Sequence, residues 1–300
     1  MERTKNIKTP SLILCSDMHL REDTPSCFIG DFQKEQWDSL DFIRKLQQRW
    51  NIPVLCGGDL FHHWKTSPWL LTKVMKHLPA KFFSCMGQHD LPQHNLELVD
   101  KSGFGTLIEA GYIKTENDWD DMLSSLNLQI CHWEQEPVKM NKGIKNILLW
   151  HHTTYLQKPF PGASGGMAVG ILRKYPQFDL IVTGDIHQSF TTTYEGRRLV
   201  NPGNLTRQSA QQIDFKPSVW LWYAEDNSVE QVFLPIQANA ISREHIDIKE
   251  QRNERIDAFV EELQSDWESN MSFEDNLKRF QETNDIKTDV MNLIFKAINL

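Results

Sequence analysis

The chain has 300 residues, 40% hydrophobic and 24% charged, with a formal net charge of -8 at pH 7. That length and composition suit a soluble globular protein with one large domain and an appendage. The acidic balance excludes a free-standing protein that grips nucleic acid through a broad basic surface. It does not exclude a nuclease whose metals and partner supply that grip.

No apolar run approaches the ~20 residues of a membrane span. The opening MERTKNIKTP is followed only by the short run Leu12 to Cys15, too short for a signal core, so the protein is expected to stay in a cytoplasm, bacterial or host. Cys15, Cys27, Cys56, Cys85 and Cys131 show no C-x-x-C spacing and read as reduced, buried small hydrophobes.

In chain order, Leu12 to Cys15 reads as a buried strand ending at Asp17, and Gln33 to Trp50 has helical apolar spacing through Trp37, Leu40, Ile43 and Leu46. Pro53 to Cys56 is a second strand, ending at Gly57-Gly58-Asp59. Trp69 to Leu78 is a helix, and Lys81 to Cys85 a third strand, ending at Gly87. The runs Leu126 to Cys131, Ile147 to Trp150 and Leu180 to Val182 continue the alternation of strands and helices, which implies α/β layering. Gln157 to Gly170 is rich in Gly and Pro but lacks the G-K-[ST] ending of a P-loop, so it reads as a surface loop or a flap over the site. Two hairpins follow, one turning at Glu195-Gly196 and one at Asp226-Asn227, and suggest a second, partly antiparallel sheet. Beyond about Ile236 the chain becomes polar and helical. One stripe runs through Ile256, Phe259, Val260, Leu263 and Trp267, another through Ile286, Val290, Leu293, Ile294, Ala297 and Ile298, and the capping-box pattern Ser272 to Asp275 lies between them. The expected division is residues 1–237 and 238–300.

Six short motifs fall just past these strands: Asp17-Met-His19, Gly57-Gly58-Asp59, Gly87-Gln88-His89-Asp90, His151-His152, Gly184-Asp185-Ile186-His187 and Asn201-Pro202-Gly203-Asn204. Carboxylate, imidazole and amide side chains are the ligand types for hard or borderline divalent cations. Strand alternation would put Asp17 and His19 on one side, and Asp185 and His187 likewise. Two cations about 3.5–4 Å apart can hold a hydroxide that attacks phosphorus in line. His89, followed at once by Asp90, suits protonation of the leaving alkoxide, the imidazole being oriented by the carboxylate. His62 and His63 read as structural or substrate-side groups, and Arg197, Arg198 and Arg207 as phosphate contacts or solvated charges.

This ordered set resembles the calcineurin-like metallophosphoesterase superfamily. Within it, Gly57-Gly58-Asp59-Leu60-Phe61-His62 and Asn201-Pro202-Gly203-Asn204-Leu205-Thr206-Arg207 are similar to segments of SbcD-type DNA repair nucleases. The resemblance implies a four-layer α-β-β-α sandwich with mixed sheets and a short C-terminal helical extension. It implies one cation on Asp17, His19, Asp59 and His187, and a second on Asp59, Gln88, His151 and Asp185. His89 would be the catalytic imidazole, and His151 rather than His152 the ligand. The cations would be manganese or magnesium, and the partners DNA, an SbcC-type coiled-coil ATPase docked on the C-terminal helices, and a second copy of the chain. Gln88 stands where the family has Asn, and Asp185 where it has His. A stand-alone phosphatase or phosphodiesterase of small phosphoesters and an inactive scaffold subunit remain as alternatives.

Overall fold

The computed structural model describes residues 8–116, 126–140, 145–158, 160, 162–244, 246, 248, 252–256, 272–284 and 286–298. Alternation along the strands sets its layers. In β1 (Leu12–Cys15), Leu12 and Leu14 face one apolar cluster while Ile13 and Cys15 face another. The first cluster lies between two five-stranded sheets. One sheet has the order β12 (Ser228–Phe233), β11 (Ser218–Tyr223), β1, β2 (Val54–Cys56), β3 (Phe82–Ser84). The other has the order β4 (Leu126–Cys131), β5 (Lys145–His151), β8 (Leu180–Gly184), β10 (Arg197–Asn201), β9 (Phe190–Tyr194). Leu55, Phe83, Ile147, Leu149, Leu180, Val182, Trp220 and Trp222 fill the space between them. A two-stranded ribbon, β6 (Thr154–Tyr155) with β7 (Gly166–Met167), stands apart.

The outer faces take helices. Leu40 and Ile43 of α1 (Phe32–Trp50), Leu70 and Val74 of α2 (Pro68–His77) and Phe104 and Leu107 of α3 (Gly103–Glu109) share a cluster with Ile13, Val54 and Phe82 of the first sheet. Ile171 and Leu172 of α4 (Ala168–Lys174) join Leu148, Trp150 and Ile181 of the second. The result is helix, sheet, sheet, helix, with mixed parallel and antiparallel pairing in both sheets. Asp31 and Ser67 start α1 and α2 by accepting from the Lys34 and Leu70 amides.

One expectation is corrected. The parallel strands β4, β5 and β8 found the second sheet. The two hairpins do not build one sheet together. β9–β10 adds to β8 in the second sheet, and β11–β12 adds antiparallel to β1 in the first. The reason is apolar demand: Trp220 and Trp222 on one face of β11 and Val219 and Leu221 on the other need cover from both sides, which only the position beside β1 gives.

The chain divides into two compact units, Met1–Ser242 and Arg243–Leu300. Residues 238–242 stay with the first because the Ile29 amide donates to Ala240 O and the Ser242 amide to Cys27 O, both at 2.8 Å. The second unit contains α5 (Phe273–Asn284) and α6 (Thr288–Ile298), with Ser272 accepting from the Asp275 amide at 3.1 Å. Phe259, Val260, Leu263 and Trp267 lie outside the described residues. Among the described residues, no helix is long and apolar enough to cross a membrane.

Candidate metal centre

The carboxyl ends of β1, β2 and β3 in one sheet, and of β5 and β8 in the other, converge on one crevice, the usual place for a ligand in α/β sheets. Pleat alternation does not aim the side chains there, contrary to the sequence reasoning. Asp17, His19, Asp59 and Asp185 all hold left-handed backbone conformations, with φ of 46°, 45°, 51° and 85°. Such residues cost of order 1–3 kcal/mol each and persist where the surroundings over-determine them. Here the loops after β1 and β2 run side by side: the Asp17, His19 and Leu20 amides donate to Gly58, Asp59 and Leu60 carbonyls at 3.0, 2.9 and 2.8 Å. Gly58 lies at φ 97° and leaves room for His151, whose Nδ1 would stand 2.4 Å from a Cβ there. At Gly87 a Cβ would fall 2.1 Å from Asp59 Oδ1.

Three groups of ligand atoms each lie within 4.8 Å of one another: Asp17, His19 and His187; His19, Asp59 and His89; and Asp17, Asp59 and His151. The hydrogen bonding leaves these atoms able to hold a cation. His151 Nδ1 sits 2.6 Å from the Gly57 carbonyl oxygen, which only accepts, so Nδ1 carries the proton. Nε2 then presents a lone pair, yet it faces Gln88 Oε1 at 2.7 Å and Asp59 Oδ2 at 3.6 Å. On the other side, His19 Nε2 and His187 Nε2 meet at 3.1 Å, and buried His19 Nδ1 has no hydrogen-bond partner among the described residues. Acceptors converging without donors fit divalent cations of borderline hardness.

The titration behaviour agrees. Burial, opposed by His151 and reinforced by the Asp59 carboxylate, raises Asp17 to about 7. Burial and then the Asp90 carboxylate hold Asp59 well above the usual carboxylate range. Burial followed by neighbouring imidazoles lowers His19, and burial first of all lowers His187 and His89. The fold thus gathers carboxyls that resist ionising and imidazoles that resist protonation, a set that a cation reconciles.

The remaining candidates separate clearly. His89 Nδ1 donates to the His62 carbonyl at 3.0 Å, and its ring lies 4.9 Å from that of His19. Asp90 does not orient it, which corrects the expected imidazole–carboxylate pair. The fully buried Asp90 carboxylate accepts from the Phe61, Gly87 and Leu60 amides at 3.0, 3.0 and 3.3 Å, so it clamps the loops after β2 and β3 and touches no reacting group. His62 stacks on His89 (centroids 5.9 Å, 17° between planes), and its buried Nδ1 has no partner among the described residues. His152 turns away from His151 and stacks on Trp150 at 3.8 Å. Arg197, Arg198 and Arg207 are committed elsewhere, to Leu172 O and Glu195, to Asn227 O, and to buried Glu35.

Asp185 and Gln88 meet one another: Gln88 Nε2 donates to Asp185 Oδ1 at 2.8 Å, and the Thr153 hydroxyl donates to Asp185 Oδ2. Sequence reasoning passed over three supporting residues. They are Thr153; Ser16, whose hydroxyl donates to Asp17; and Asn201, whose amide donates to the Ile186 and Gln188 carbonyls on either side of His187. Only Asn201 carried a signal, its place in the last motif.

The chain matches the calcineurin-like phosphoesterase family over residues 10–189, and it belongs to that family. It is a metallophosphoesterase, a metal-dependent hydrolase of phosphoesters. No curated protein matches it closely in sequence. Solved structures similar to it include an archaeal phosphodiesterase (13% identity, 74% of this chain and 99% of that one, TM-score 0.41). A dimetal phosphatase from Danio rerio (11%, 77% and 100%, TM-score 0.44) and the phosphopantetheinyl hydrolase of Mycobacterium tuberculosis (14%, 75% and 96%, TM-score 0.43) are also similar. At such identities nothing about substrate follows.

Proposed function

We propose that the chain is a two-metal phosphodiesterase that cuts DNA, the nuclease subunit of an SbcD-type repair complex. One cation would rest on Asp17, His19, Asp59 and His187, and the other on Asp59, His151 and Gln88. When bound, the two cations supply Lewis acidity that polarises a phosphate and lowers the pKa of water. Asp59 stands between the two sets and holds them in one register. His89, fixed at Nδ1 by the His62 carbonyl, leaves Nε2 to exchange a proton with a leaving oxygen.

The observation that carries the nuclease reading is the place of His62. It closes the Gly57 to His62 segment shared in pattern with repair nucleases, and its carbonyl and ring support the imidazole assigned to proton transfer. Beside it opens a cavity of about 140 Å³ lined by His63 and Lys65, and by Arg21, Glu22 and Asp23, with the Arg21 guanidinium bound to the Asp23 carboxylate. The acidic chain would borrow further DNA grip from an ATPase partner docked on the C-terminal helices, where Val290 and Leu293 of α6 are exposed. Manganese or magnesium, a second copy of the chain and a cytoplasmic setting belong to the same reading.

The net charge of -8 favours a second reading, a hydrolase of small phosphodiesters. End-labelled linear duplex DNA with the purified chain and manganese separates the two, beside an Asp59→Ala control. Manganese-dependent cleavage lost in the control is expected. Rapid turnover of bis-nitrophenyl phosphate with intact DNA, in the presence of the ATPase partner as well, would overturn the nuclease reading.

A further inference from the structure

A glutamine amide has an accepting end and a donating end of nearly the same shape, and only its partners decide which points where. Gln88 has such partners. Its amide nitrogen donates to Asp185 Oδ1 at 2.8 Å. The oxygen must therefore face the other way, where it stands 2.7 Å from His151 Nε2. The Gly57 carbonyl has already claimed the His151 proton at Nδ1. With Asp59 ionised, as a cation would hold it, Gln88 Oε1, His151 Nε2 and Asp59 Oδ2 thus form a pocket of lone pairs with no donor among them.

Both Asp185 oxygens are engaged, one by the Gln88 amide and the other by the Thr153 hydroxyl. Among the described residues, Asp185 enters none of the three groups of ligand atoms that lie within 4.8 Å of one another. Thr153 is itself held: its carbonyl accepts from the Gly166 amide at 2.9 Å, at the start of the β6–β7 ribbon, and a Cβ on Gly165 would stand 2.4 Å from that oxygen. A chain of contacts therefore runs from the ribbon through Thr153 and Asp185 to the Gln88 amide.

We propose that Asp185 and Thr153 are positioning residues, and that Asp185 serves the second cation by holding the Gln88 amide oxygen toward it rather than by ligating it. The two places where the chain departs from the family pattern then work as a pair. Glutamine has one more torsion than asparagine, and its amide can turn either way round. A carboxylate, which cannot donate, removes the wrong orientation. Removing such outer contacts typically costs 10–100-fold in metal affinity.

The test is binding, independent of any substrate. The metal-free full chain is titrated with manganese by calorimetry, and the exchange-coupled manganese pair is followed by electron paramagnetic resonance. Two sites are expected. Thr153→Val should weaken one of them about tenfold and Thr153→Ser should restore it; Asp185→Asn, whose amide lets Gln88 reverse, should weaken the same site 10–100-fold. Anomalous diffraction from manganese-loaded crystals should put Gln88 Oε1, and no Asp185 oxygen, within about 2.5 Å of the second ion. An Asp185 oxygen at that distance overturns the proposal. So does unchanged two-site binding in Thr153→Val, or a wild-type chain that takes up only one ion. Thermal melts of each variant separate lost affinity from lost fold.

Discussion

The backbone amide of Asp185 donates to the carboxylate of Asp17, at 3.0 Å to Oδ1 and 3.3 Å to Oδ2. Asp17 follows a strand of the first sheet and Asp185 a strand of the second, so the metal centre bridges the seam of the sandwich. The charge state of Asp17 therefore bears on how the two sheets hold together.

A metal-free form should lose stability as pH rises from 6.5 to 8. Asp17 is raised to about 7, and Asp59 is held well above the usual carboxylate range. A carboxyl raised in the folded state stabilises it fully below the unfolded value, and that contribution is lost as pH rises through the folded value. The site imidazoles are lowered instead, so their effect falls below their unfolded value and is exhausted by about pH 6.5. Asp90, at about 6, is mostly ionised before the window opens. Melting curves in chelator should fall by several degrees across that range, with manganese raising Tm more at pH 8 than at pH 6.5. Asp17→Asn should remove part of the fall, Asp59 keeping the remainder. A flat or rising chelator profile would sink this account of the carboxyls.

His89 and Asp90 are neighbours with separate tasks. His89→Asn should lower kcat by about 10²–10⁴ while both manganese sites remain. Asp90→Asn sets an amide NH₂ against backbone amides and should cost about 2–4 kcal/mol of stability, since a hydrogen bond to a charged group contributes about 1.5–3 kcal/mol. Its residual activity should keep the wild-type pH profile. An Asp90→Asn protein that melts normally but has the kinetics of His89→Asn would return Asp90 to the proton transfer.

Gly87→Ala should displace the Asp59 carboxylate without replacing any candidate ligand. The new Cβ would lie 2.1 Å from Asp59 Oδ1 and 2.7 Å from Asp59 N, so the loop after β3 or the carboxylate must move. At least one manganese site should weaken more than tenfold by calorimetry, with the far-ultraviolet circular dichroism unchanged. Wild-type affinity for both ions would show that the loops yield more easily than their hydrogen bonds suggest.

Much of this was legible because strand ends and ligands coincide in the chain: β1, β2, β3 and β8 fall where apolar runs stop at Asp17, Asp59, Gly87 and Asp185. The order of the sheets was not legible. Both faces of every central strand are apolar, so nothing in Ile147 to Trp150 says which sheet it joins. The left-handed turns at Asp17, His19 and Asp59 were equally hidden, because they rest on contacts between loops distant in sequence. Thr153 and Asp90 show the same limit from opposite sides. A hydroxyl without a motif proved to touch the site, and a carboxylate within one proved to hold backbone.

Arg207, the last residue of the Asn201 to Arg207 segment, makes the last test. Its Nη2 reaches Glu35 Oε2 at 2.9 Å and Gln237 O at 2.8 Å, and both charged side chains are nearly without solvent contact. The Gln237 amide also donates to Glu35 at 2.8 Å, so the pair ties α1 to the stretch after β12. Breaking a buried pair from one side leaves an unpaired charge and costs about 3–5 kcal/mol. Arg207→Met and Glu35→Gln should each lower the melting temperature strongly, and Arg207→Met with Glu35→Met should recover part of the loss. KM for bis-nitrophenyl phosphate, measured on the folded fraction, should stay within about twofold of wild type, because uniform substrate binding is the quantity a lost contact would raise. A stable Arg207→Met protein with a KM ten times higher would instead place the guanidinium on the substrate.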